Sequence, residues 1–149
     1  MKKIAKIVIT TLISIITVVS FIGCSTSNSV KEDSSAKQKS EIKTISTKDV
    51  KTNLGKNNWV VVDTRENDAF NGWKLDDVSR GGHVKGATDF SAAWLKIDDK
   101  NKSKILEDAL KTKGITKEKN IVLYDANGKD SNEVANYLMQ KGFKNIYKY

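Results

Sequence analysis

The sequence predicts an α/β domain built on a largely parallel sheet with helices on both faces. Three observations carry this. Trp59-Val60-Val61-Val62 and Ile121-Val122-Leu123-Tyr124 are continuous apolar runs rather than alternating ones, the pattern of strands buried on both sides. Lys102–Lys113 and Ser131–Lys141 place their apolar residues at helical spacing. Strands and helices alternate along the chain, which in one sheet requires crossover connections and parallel neighbours. The 149 residues suffice for one such domain and not comfortably for two.

The elements follow in order. Ser46 or Thr47 can cap a short helix through Leu54, with Val50 and Leu54 on one face. Trp59–Val62 is the first buried strand. A short helix follows at about Asp68–Asn71, then an irregular loop over Trp73–Gly82 closed by Gly81-Gly82. His83–Ala87 reads as a brief strand. The Lys102–Lys113 helix has Ile105, Leu106, Ala109 and Leu110 at helical spacing, and Gly114 ends it with a left-handed cap. Ile121–Tyr124 is the second buried strand and Asp125–Asp130 a loop. Ser131 can cap a helix through Lys141 whose Val134, Ala135, Leu138 and Met139 face inward, and Gly142 terminates it. Asn145-Ile146-Tyr147 is the last strand. Ligands of such sheets lie beyond the carboxyl ends of the strands, which singles out the loops after Val62 and Tyr124.

The N-terminus carries an address. Lys2, Lys3 and Lys6 precede an apolar run to Ile22, the pattern of a secretory signal. Phe21-Ile22-Gly23-Cys24 resembles the lipobox of bacterial lipoproteins, with Phe21 where Leu is usual. That resemblance implies a signal peptide over residues 1–23, lipid attachment at Cys24, and a domain held on the extracytoplasmic side of the cell membrane. The alternative is an uncleaved transmembrane anchor, since the run approaches the roughly 20 residues that cross a bilayer. Residues 24–43 are rich in Ser, Lys, Glu, Asp and Gln and are expected to form a flexible tether to a domain over residues 44–149.

Cleavage before Cys24 removes three lysines and no acids, lowering the net charge from +8 to +5. The remaining cations are scattered lysines with only two arginines, a solvated surface rather than a nucleic-acid face. No cofactor motif and no metal-ligand cluster is present in the pattern.

Three pieces then line up on the predicted elements: Asp63-Thr64-Arg65 at a strand end, Gly82-His83-Val84-Lys85-Gly86-Ala87, and the Ile121–Tyr124 strand with its loop and helix, followed by Gly142-Phe143-Lys144-Asn145-Ile146. In this order they resemble the rhodanese family of sulfurtransferases over about Thr47–Tyr149. Read from the residues alone, Asp63 and Arg65 suit a partly buried ion pair that holds the loop after the first strand. His83, the single His, suits a packed, hydrogen-bonded role. Gly82, Gly86 and Ala87 let backbone pass close to neighbouring chain.

Family chemistry needs a thiolate that takes sulfur from a donor as a persulfide and passes it to an acceptor. The family loop Cys-x-x-Gly-x-Arg-Ser corresponds to Asp125-Ala126-Asn127-Gly128-Lys129-Asp130-Ser131. Gly128 and Ser131 match. Asp125 stands at the nucleophile position and Asp130 at that of the Arg. A carboxylate cannot form a persulfide, and a second carboxylate disfavours an anionic donor. The resemblance therefore implies a catalytically inactive module, like the first domain of tandem sulfurtransferases, which commonly carries Asp there. The long stretch Asn71–Gly81 resembles tandem members too. Family members continue past the last strand, so the C-terminal part is expected to be truncated and a catalytic rhodanese domain is an expected partner. Two other readings stay open: a sulfurtransferase acting as part of a tandem or multi-chain enzyme, and a small-ligand binder at Asp125–Ser131.

Overall fold

The computed structural model describes residues 41–76 and 78–149. The signal peptide, Cys24 and nearly all of the expected tether lie outside the described residues. The element order is β1 (Lys43–Thr44), α1 (Thr47–Asn53), β2 (Trp59–Asp63), α2 (Asn67–Phe70), β3 (Thr88–Asp89), a 3-10 helix (Ala92–Lys96), α3 (Lys102–Thr112), β4 (Asn120–Tyr124), α4 (Lys129–Gln140) and β5 (Ile146–Lys148). The five strands form one sheet in the order β1-β5-β4-β2-β3, and every pairing is parallel. Among the described residues, no helix is long and apolar enough to cross a membrane.

The two central strands sort their side chains by the period of two. Val62, Ile121, Leu123 and Ile146 point into the larger core, where they meet Leu106 and Leu110 of α3 and Val134, Ala135 and Leu138 of α4. Val61, Val122 and Tyr124 point the other way, against Ile45 and against Val50 of α1. Helices therefore cover both faces, but unequally: α3, α4 and the 3-10 helix lie on one face and α1 on the other. Each fully buried aliphatic side chain contributes roughly 1.5–3 kcal/mol, so the α3–α4 face holds most of the apolar stabilisation.

Local chemistry sets the element ends. Ser46 is the N-cap of α1, its Oγ accepting the Asp49 N–H at 3.2 Å. Gly114 adopts φ 66° just past α3, and Gly142 φ 84° just past α4.

Several expectations are corrected. His83–Ala87 is not a strand; its Val84–Ala87 segment turns, with the Ala87 N–H donating to the Val84 carbonyl at 2.8 Å, and the strand comes next, at Thr88–Asp89. Gly86, at φ 80°, bends the backbone out of the extended conformation there. α4 begins at Lys129, so Ser131 lies inside its first turn and Gly128 is the N-cap. The last strand is shifted to Ile146–Lys148, where its backbone pairs with β4 and β1. At the other end, Lys43, expected in the tether, opens β1, and Ile42 packs on the larger core. Two residues of edge strand carry too little pattern to be read from sequence.

Candidate functional site

The carboxyl ends of β2 and β4 lie side by side, with Asp63 registered against Tyr124. This pairing organises everything above it. Asp63 is fully buried, and a buried carboxylate requires partners for its charge. Arg65 supplies two: its Nε donates to Oδ1 at 2.9 Å and an Nη to Oδ2 at 2.6 Å. The Arg65 backbone N–H also donates to Oδ1, at 3.1 Å. The Tyr124 hydroxyl donates to Oδ2 at 2.7 Å and accepts the Val84 N–H at 3.0 Å. Arg65 further donates to the Gly82 carbonyl at 2.8 Å. The Asp63 carboxylate raises the Arg65 guanidinium above its ordinary value, chiefly through their hydrogen bond. Burial, then the hydrogen bond to Asp63, push the Tyr124 phenol well above its ordinary value. Asp63, Arg65 and Tyr124 thus clamp the Gly82–Val84 segment onto the strand ends.

His83 sits on this clamped segment with its ring stacked on Phe70 at 4.0 Å between centroids. Its Nδ1 lies 2.7 Å from the Phe70 carbonyl, so Nδ1 carries the proton and donates it. The ring thereby ties the segment to the end of α2. Close backbone approach is found at Gly81, not at Gly82 or Gly86. A Cβ at Gly81 would fall 2.1 Å from the Gly72 carbonyl oxygen, whereas one at Gly82 or Gly86 would meet nothing within 4 Å. The latter two adopt φ 93° and 80°.

The second site element is the loop after β4. Asp125 turns its carboxylate back over the start of α4. Oδ1 accepts the Gly128 N–H at 2.7 Å, and Oδ2 accepts the N–H groups of Asp130 at 2.7 Å and Ser131 at 3.1 Å. The Ser131 hydroxyl lies 3.3 Å from Oδ1. The first N–H groups of a helix have no partner within it, and here one carboxylate collects those of Asp130 and Ser131 together with that of the N-cap Gly128. The dipole of the twelve-residue α4 adds to the attraction. Lys129 is exposed, as are Ala126 and Asn127; the Asn127 Oδ1 accepts the Lys129 N–H at 3.1 Å. Burial, then the nearby Asp125 charge, raise the Asp130 carboxyl above its ordinary value. Two acidic groups therefore crowd a loop in which the amide donors from Gly128 to Ser131 are already engaged.

Sequence reasoning missed Tyr124 as a site residue. The signal was present, because aligning the ends of two buried parallel strands puts Asp63 and Tyr124 next to each other. It also missed that Asp125 would fill the amide cradle itself, which depends on the loop's folded shape. Among the described residues there is no cluster of three His, Cys, Asp or Glu side chains able to hold a metal.

The rhodanese-like domain family model matches residues 46–149. No curated protein matches the sequence closely enough to count as a relative. Among solved structures, the chain is similar to an anaerobic ergothioneine biosynthesis enzyme from Chlorobium limicola in complex with trimethyl histidine, with 30% identity and a TM-score of 0.63. That match covers 72% of this chain and 24% of the enzyme. The wild-type structure of EanB matches with 30% identity and a TM-score of 0.63, over 73% and 24%. A further EanB structure, with ergothioneine covalently linked to a persulfide cysteine, matches with 30% identity and a TM-score of 0.63, over 72% and 24%. The chain spans about a quarter of the length of these enzymes.

Proposed function

Because the chain belongs to the rhodanese-like domain family, we propose that it is a membrane-anchored rhodanese-like module, held on the extracytoplasmic side through Cys24 and inactive by itself in sulfur transfer. The observation that carries the inactive reading is the Asp125 carboxylate, engaged by the N–H groups of Gly128, Asp130 and Ser131. Sulfur transfer through a persulfide needs a thiolate to displace the leaving group from the donor's outer sulfur and then to yield that sulfur to an acceptor. The loop's amides would have to be free to hold the negative sulfur. Here they hold a carboxylate, which forms no persulfide. The single cysteine of the chain is Cys24, in the lipobox-like segment. The positive start, apolar run and Gly23-Cys24 support the anchor.

A second reading is that the chain serves as one part of a tandem or multi-chain sulfurtransferase. It is favoured by the structural neighbours, where a stretch similar to this chain forms about a quarter of an enzyme described with a persulfide cysteine. In that case Asp125–Ser131 would be the silent loop and the thiol would come from a partner domain.

The test is sulfur transfer from thiosulfate to cyanide by the full chain, beside an active rhodanese. No transfer above background is the expected result. Clear turnover would end the inactive reading. Asp125→Cys by itself is expected to give little activity, because Asp130 still opposes an anionic donor. For the anchor, labelling with radioactive palmitate is expected for the expressed chain and lost in Cys24→Ser; equal labelling of both would remove it.

A further inference from the structure

Away from the Asp125 loop, α1 and the Arg80–Lys85 segment border a cleft of about 520 Å³. Its walls carry Lys51, Arg80 and Lys85, all exposed, while Val50, Leu54 and Val84 give it apolar surface. Tyr149 lines it as well, and among the described residues that line it there is no acidic side chain. Arg65 also borders it, but its guanidinium is committed to Asp63 and the Gly82 carbonyl. The segment forming one wall is the one clamped by Arg65, Tyr124 and His83, so the wall is held in place before any ligand arrives. The cleft lies on the face of the sheet where, among the described residues, α1 is the helix that packs.

We propose that this cleft binds an amphipathic organic anion, a carboxylate or sulfonate carried on a small apolar body. Three cations around an apolar floor, with no acidic side chain among the lining residues, favour negative charge at the rim and disfavour cations. The apolar floor rewards a ligand that is more than a bare oxyanion, and the volume suits a small organic molecule. The geometry makes no use of Asp125, so this site and the inactive reading of the loop stand or fall separately.

Naphthalene sulfonate is the probe, titrated into the full chain and followed by amide NMR. Saturable shifts centred on Val50, Lys51, Gly82 and Val84 are expected, weakening as salt is raised to about 0.5 M, where charge screening is strong. Lys51→Glu combined with Lys85→Glu is expected to weaken binding at least tenfold. Lys144→Glu, an exposed lysine outside the cleft, is expected to change it little. Far-ultraviolet circular dichroism checks that each variant remains folded. Shifts that map elsewhere, binding unaffected by the double charge reversal, or inorganic sulfate binding the same amides as tightly as the aryl sulfonate would each overturn the proposal.

Discussion

The buried Asp63 carboxylate is the residue on which most of the site geometry depends. It neutralises Arg65 and accepts from Tyr124, and both partners in turn fix the Gly82–Val84 backbone. Removing one member of such a pair leaves the other charge without a partner, which costs about 3–5 kcal/mol where the pair is buried. Arg65 keeps slight solvent access, so Asp63→Ala is expected to fall at the lower end, read by urea unfolding. Tyr124→Phe removes the hydrogen bond donated to Asp63 and the one accepted from Val84, whose N–H is left without an acceptor, a loss of about 1–3 kcal/mol. Its pH signature separates it from a simple packing defect. The folded-state phenol is raised above its ordinary value, so the folded state holds the proton more tightly than the unfolded chain. The stability this contributes is fully present below about pH 10, the ordinary phenol value, and is lost as pH rises beyond it. The difference in stability between wild type and Tyr124→Phe is therefore expected to shrink above that pH. A constant difference from neutral to alkaline pH would show that the phenol proton plays no part.

Among the elements, legibility in the sequence follows how much pattern each one carries. The two central strands, α3 and the body of α4 show in the sequence because core packing dictates nearly every position of the strands, apolar on both faces, and every third to fourth position of the helices. β1 and β3 are two residues each and are held by backbone pairing to β5 and β2, which leaves no side-chain pattern to read. The start of α4 differs from expectation for another reason: Ser131 is a good cap by residue type, but Asp125 reaches across the loop to the first amides, and the helix begins three residues earlier than expected, with Gly128 at the N-cap. Asp125→Ala is thus expected to destabilise the chain by about 1–2 kcal/mol, within the range of a lost helix cap. Added amide exchange is expected at Gly128, Asp130 and Ser131 before the rest of α4. The paired glycines Gly81-Gly82 close the loop, and the steric demand falls on Gly81 alone. Gly81→Ala must displace the Gly72 backbone by more than a flexible side chain would require. It is expected to loosen the 72–82 loop, seen as raised proteolytic nicking there, with much less effect on protection of β4.

At the largest scale, the described domain is unbalanced about its sheet. On one face, α3, α4 and the 3-10 helix bury a cluster that includes Phe90, Leu106, Leu138 and Phe143. On the other, seven residues of α1 and the turn at Val84–Ala87 cover the strands, with Trp59 and Tyr147 only partly buried at 5.2 Å between ring centroids. A helix of two turns has little stability of its own and depends on what it packs against. Its packing here rests mainly on Val50 and Leu54. Local opening in proteins follows the density of buried apolar contact, so α1 belongs at the low end and the central strands at the high end. Native-state hydrogen exchange is expected to show the Leu54 N–H, which bonds the Val50 carbonyl, exchanging through a partial opening. The amides of Val62 and Leu123 are expected to exchange only with global unfolding. Leu138→Ala, which empties a fully buried site, is expected to cost about 2–5 kcal/mol and to lower protection everywhere. Val50→Ala is expected to cost less and to lower it mainly in α1. Saturating naphthalene sulfonate bridging α1 and the Arg80–Lys85 wall should then slow exchange at Leu54 selectively, because a ligand that binds only the closed form raises the cost of opening it. Exchange at Leu54 as slow as at Leu123 without ligand would mean that the thin face is held as firmly as the thick one.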